Sequence, residues 1–141
     1  MLGKTVGGRY KLIYCLGAGA FGRAYLAKNV SYFVRNWCVV KQLNPVIDPL
    51  NPISLDKAQS LFYNEAQALK NLGTHNQIPR FLNYFQEDYL FYLLQEFIDG
   101  HELSEELANN PKLSERQLCE LLQYLLGILA FVHNKMLFTA T

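Results

Sequence analysis

Three glycines crowded into Leu16-Gly17-Ala18-Gly19-Ala20-Phe21-Gly22 constrain this chain more than any other stretch. Glycine at that density marks backbone that must come close to something a Cβ would block. Phosphate is the usual guest, because successive peptide N–H groups can point at its oxygens. The flanks decide which glycine motif this is. Ahead of it, Tyr10-Lys11-Leu12-Ile13-Tyr14-Cys15 is rich in β-branched and aromatic residues and predicts a strand. Behind it, Arg23-Ala24-Tyr25-Leu26-Ala27 again predicts extended chain, with no helix start. A dinucleotide fingerprint needs a helix after the glycines and an acid about 20 residues on. No Asp or Glu occurs between Gly22 and Asp48. A Walker A loop needs Lys-Ser/Thr after its last glycine, and here Arg23-Ala24 follows. Both are excluded. What is left is a glycine turn at the tip of a β-hairpin. A lysine, Lys41, follows on the next apolar strand, Trp37-Cys38-Val39-Val40-Lys41-Gln42-Leu43.

The rest of the chain has an α+β rhythm. The first 43 residues predict three strands, and the proline-rich run 44–52 can continue neither strand nor helix. Ser54 is a plausible N-cap. From there Leu55, Ala58, Leu61, Phe62, Ala66, Leu69 and Leu72 recur at helical spacing up to Gly73, a reasonable stop. Glu65 sits beside this apolar stripe, where it either borders the stripe and looks at solvent or has a partner, since burying a lone carboxylate is expensive. Two further strands, Arg80–Gln86 and Leu90–Phe97, flank a polar Glu87-Asp88 turn and complete a five-stranded antiparallel sheet with one helix. A short helix is expected over Leu103–Asn109. The last opens at Ser114, with Gln117 three residues on as a capping box. Over 114–133 it is apolar nearly all round, as suits a helix in the middle of something.

In combination these motifs resemble the N-terminal lobe of a eukaryotic-type Ser/Thr protein kinase, in bacterial and especially cyanobacterial form. The resemblance covers essentially the whole chain. It implies a kinase-like small lobe over residues 1–97, then the hinge and first two helices of an incomplete C-terminal lobe over 98–141. It implies that the glycine loop, Leu16 through Gly22, lies over ATP phosphates and that Lys41 reaches them, paired with Glu65 on the following helix. Gln95-Glu96-Phe97-Ile98-Asp99-Gly100 resembles the hinge. There the adenine edge would bond the Glu96 C=O and the Ile98 N–H, with Gln95 as gatekeeper. Glu102 aligns with a position that often holds ribose hydroxyls; it is equally an acid favoured by the dipole of the helix it precedes. Ala24 and Val39 stand where the family usually has valine and alanine, so the roof over adenine keeps roughly its volume.

The resemblance stops where the catalytic loop should begin. Thr139-Ala140-Thr141 falls at the H-R-D position; the Asp that would accept the substrate hydroxyl proton, and the catalytic-loop Asn and D-F-G Asp that would hold Mg²⁺, have no match in the sequence. His75, His101 and His133 cannot replace them. The expectation is a truncated chain without catalysis, binding adenine nucleotide weakly at most. A non-catalytic interaction module built on the small lobe is the alternative. The third class, an unrelated nucleotide-binding α+β domain, would need the lysine, glutamate and hinge matches all to be accidental. An exposed helix 114–133 would be buried by self-association or by a protein partner.

Composition narrows the remaining classes. Half of the 141 residues are hydrophobic and 18% are charged, which excludes a disordered chain. A formal net charge of +1 gives no electrostatic case for nucleic acid or an anionic membrane. Cys15, Cys38 and Cys119 have no metal-ligand spacing and lie in apolar contexts, which predicts buried thiols in a reducing compartment. No signal-peptide core and no membrane-length apolar run occur, so the cytoplasm is the expected location.

Overall fold

The structure is a computed structural model and describes residues 1–19, 22–31, 36–43, 55–109 and 112–139. Its elements run β1 (Thr5–Val6), β2 (Tyr10–Gly19), β3 (Gly22–Asn29), β4 (Trp37–Leu43), α1 (Leu55–Leu72), β5 (Phe81–Glu87), β6 (Leu90–Glu96), α2 (Leu103–Asn109) and α3 (Glu115–Thr139). Six strands form one curled antiparallel sheet in the order β1-β2-β3-β4-β6-β5. The fold is α+β, a kinase-like small lobe followed by helices.

The sheet has one strand more than the five expected. Thr5 and Val6 pair with Lys11 and Tyr10, and Gly7 and Gly8, at φ of 58° and 73°, turn this short strand back on β2. Two residues are too few to show alternation, so the sequence carried no strand signal there. The turn between β5 and β6 also differs. Glu87 pairs with Leu90, and the turn residues are Asp88 and Tyr89, both with positive φ. A two-residue turn of this kind matches the twist of its strands. It also keeps Glu87 in the strand, where its carboxylate accepts a 2.8 Å hydrogen bond from Gly7 N–H.

Alternation along the strands builds two cores. Leu12, Tyr25, Ala27, Cys38, Val40, Tyr92 and Leu94 fill the inside of the curled sheet. On the opposite face, Phe62 and Ala66 of α1 pack against Phe91 and Leu93. The α1 stripe is narrower than its spacing suggested, for Leu61 is 55% exposed. Burial pushes the Cys38 thiol up to about 11 from 9.0. The neutral thiol is therefore favoured on folding, and the stability it supplies is full below pH 9 and lost as pH rises toward 11. Cys119 does not follow the buried expectation; it is exposed on α3, and Cys15 is half-buried. A maleimide pulse at neutral pH should accordingly label Cys119 at once and Cys38 only after unfolding. Equal labelling of the two would contradict this burial.

Ser114 caps α3 as the sequence predicts: Gln117 N–H donates to Ser114 Oγ at 3.2 Å, and Ser114 N–H donates to Gln117 Oε1 at 3.0 Å. The helix runs past 133, to Thr139. It meets α1, and the His75 ring lies 4.4 Å from that of Phe131. Leu121, Ile128, Phe131 and Val132 are half-buried, whereas Leu118, Leu122, Leu125, Leu126 and Leu129 are exposed. Among the described residues no helix is long and apolar enough to cross a membrane.

Candidate nucleotide cleft

Strand register sets the site. On the face of the sheet that carries α1, Gly17, Ala24, Lys41 and Leu93 form one cross-strand row. Tyr14, Leu26, Val39 and Gln95 form the next. Beyond Gln95 the chain leaves the sheet at Glu96 and crosses to α2. Between that crossing and the tip-ward half of β2 lies an open cleft of about 500 Å³, within the usual range for small-molecule sites. Leu16, Val39, Gln95, Glu96, Ile98 and Glu102 all line it. Residues far apart in sequence thus share one wall.

Each lining residue is held by its own element. Glu96 is anchored at the sheet end, where its N–H donates to the Arg80 carbonyl at 2.8 Å and its Oε2 accepts from Arg80 N–H at 3.1 Å. Ile98, 57% exposed, has no hydrogen bond from its N–H to any described residue. Glu102 sits just before α2; its carbonyl accepts from Glu105 and Glu106 N–H, and its carboxylate accepts from the Ser104 hydroxyl at 3.2 Å. Pro79 and His101 also line the cleft, though no motif marks either residue. His101 pairs with Glu106, and that hydrogen bond raises the imidazole above its ordinary value.

The glycines divide into two kinds. Gly22, at φ 153°, opens β3 opposite Leu43, and a Cβ there would stand 1.9 Å from the Gln42 carbonyl oxygen. Its glycine is a demand of the sheet itself. At Gly17 and Gly19 a Cβ would meet nothing within 4 Å. Among the described residues no neighbour requires glycine at either. Gly19 pairs with Gly22 and Ala18 with Arg23. Ala20 and Phe21 lie outside the described residues, as do Ser54 and the proline run.

Lys41 and Glu65 are not brought together. Among the described residues the ion pairs within 4 Å are Lys4–Asp88, His101–Glu106 and Arg116–Glu120. Lys41 is half-buried in its row, while Glu65 is exposed. The cause is the seat of α1, which packs on β5, β6 and α3 through Phe62 and Ala66. That seat leaves the flank carrying Leu61 and Glu65 uncovered.

With this geometry in view, the chain belongs to the protein kinase family: residues 10–138 match the protein kinase domain. It is 40% identical to serine/threonine-protein kinase B of Synechocystis sp. over 128 residues, covering 91% of this chain and 22% of that one. To serine/threonine-protein kinase F of the same organism it is 41% identical, covering 90% and 28%. The chain therefore spans about a quarter of the length of these curated relatives. The fold is shared with the kinase domain of Mycobacterium tuberculosis PknI, with a TM-score of 0.73 at 21% identity, over 96% of this chain and 52% of that one.

Proposed function

We propose that these residues are the nucleotide-gripping part of a Ser/Thr protein kinase. The observation that carries this reading is the single cleft lined by Leu16, Val39, Gln95, Glu96, Ile98 and Glu102. In it the adenine edge would bond Glu96 C=O and Ile98 N–H, between Leu16 and Val39, with Glu102 near the ribose. Phosphates would then lie toward Gly17, Gly19 and the Lys41 row, where backbone N–H groups and an ammonium can meet their charge. Glu65 is the proposed partner of Lys41. The exposed Leu61 on the same flank supports this: turning that flank inward would bury apolar surface and carry the carboxylate toward the sheet. Mg²⁺, when bound, would supply charge neutralisation at the phosphates. The Asp and Asn residues that hold it are not among these 141 residues, and neither is the base for the acceptor hydroxyl. We assign residues 1–97 to the small lobe and 98–141 to the hinge and the start of a second lobe.

Calorimetric titration with an adenine nucleotide should give weak binding, abolished by Lys41→Ala and reduced less by Glu102→Ala. Tight, Mg²⁺-dependent binding would argue against this account. Phosphate transfer from labelled ATP to a generic acceptor protein should not exceed that of the Lys41→Ala chain, because a missing general base alone removes about 10²–10⁴ in rate. Turnover that disappears in Lys41→Ala would overturn the reading. The interaction-module alternative draws on one observation, the exposed leucines of α3.

A further inference from the structure

Charge is distributed very unevenly along this chain. All 12 acidic residues lie at Asp48 or beyond, whereas seven of the 13 Lys and Arg precede it. The cations include a cross-strand row one step past the cleft: Lys11 stands opposite Lys28, and Lys28 opposite Trp37. Like charges directly opposed in an antiparallel pair are destabilising. No carboxylate of the described residues lies within 4 Å of either ammonium. Lys28 Nζ rests 5.5 Å from the centroid of the Trp37 ring. Beside the two lysines is a shallow groove of about 410 Å³, reached also by Ile13, Asn29 and Val30. Ile13, Val30 and Trp37 are 40%, 48% and 47% exposed. Unneutralised cations and exposed apolar groups therefore share one small surface.

We propose that this row docks a short acidic segment of another protein. Its carboxylates would bridge Lys11 and Lys28, and an apolar side chain would rest on Ile13, Val30 and Trp37. A carboxylate between the two ammonium groups replaces their repulsion with two charge-assisted hydrogen bonds. The exposed tryptophan supplies the aromatic anchor that such contacts favour. Complementarity singles out a short peptide over an extended polyanion. A duplex or a charged membrane would also confront the 12 carboxylates of a chain whose total net charge is only +1.

The test is fluorescence anisotropy of the 141-residue chain with a labelled peptide of glutamates around a single leucine. Binding is expected, weakening with salt and falling at least about tenfold in Lys11→Glu/Lys28→Glu. The matching glutamine peptide should not bind, and adenine-nucleotide binding should be unchanged in the double variant. Lys28→Glu alone guards against misfolding. It sets opposite charges across the strands, so it should raise the thermal midpoint while weakening the peptide. Glutamate-peptide binding equal to that of the glutamine peptide, or undiminished in either variant, would refute the proposal. So would stronger capture by phosphatidylserine vesicles that the same variants abolish.

Discussion

Replacing Gly22 with alanine is expected to remove about 3 kcal/mol or more of stability, with a drop in melting temperature of roughly 10 °C. The added methyl would stand 1.9 Å from the Gln42 carbonyl oxygen, at a φ of 153° that side chains rarely adopt. Nothing flexible can yield there, because the obstructing atom is backbone near the end of β4, held in the β3–β4 pairing. Either β3 separates from β4 near Leu43 or the hairpin distorts. Gly17→Ala is the informative companion. With open space around its Cβ position, it should leave stability within about 0.5 kcal/mol yet weaken nucleotide binding. Thermal unfolding of both variants checks the pair. A Gly22→Ala protein melting within a degree or two of the parent would remove the structural role assigned to this glycine.

Self-association through α3 is the second large effect expected. Leu118, Leu122, Leu125 and Leu129 follow one another at spacings of four, three and four, the seam of a helix pair. They are 47%, 49%, 41% and 48% exposed. At about 1.5–3 kcal/mol for each large side chain fully buried, covering the open half of four would recover on the order of 3–6 kcal/mol per copy. A second copy of this helix offers a matching seam, so the 141-residue chain should scatter light as a symmetric dimer. Leu122→Lys with Leu125→Lys should give a monomer of unchanged circular dichroism. A monodisperse monomer of the parent chain at high micromolar concentration would exclude the dimer.

How much of this could be read beforehand differs from element to element. Helix α1 ends at Leu72 before Gly73, which has φ 68°, and α2 spans Leu103–Asn109, as local signals indicated. The capping box of Ser114 and Gln117 is local too, and both of its hydrogen bonds form. The strand-glycine-strand pattern was legible because neither flank of the glycines could start a helix. Strand β1 was not, since its only evidence is its pairing with β2. Leu61 misled for a related reason: periodicity marks which side of a helix is apolar, not how much of that side a neighbour covers.

For the site, the residue types available are legible in the chain itself: glycines on a hairpin, a lysine in an apolar strand, and a glutamate on the next helix. Those choices are written residue by residue, because each rests on backbone freedom or on charge. Which of them meet is set by strand register and helix packing. Register aligned Val39 with Gln95 and carried Leu16, Ile98 and Glu102 to the same cleft. The seat of α1 on β5, β6 and α3 left Glu65 exposed and apart from Lys41. A helix position relative to a sheet depends on the summed packing of Phe62, Ala66, Phe91 and Leu93, a balance of small terms spread over distant residues. No local stretch of sequence contains that sum.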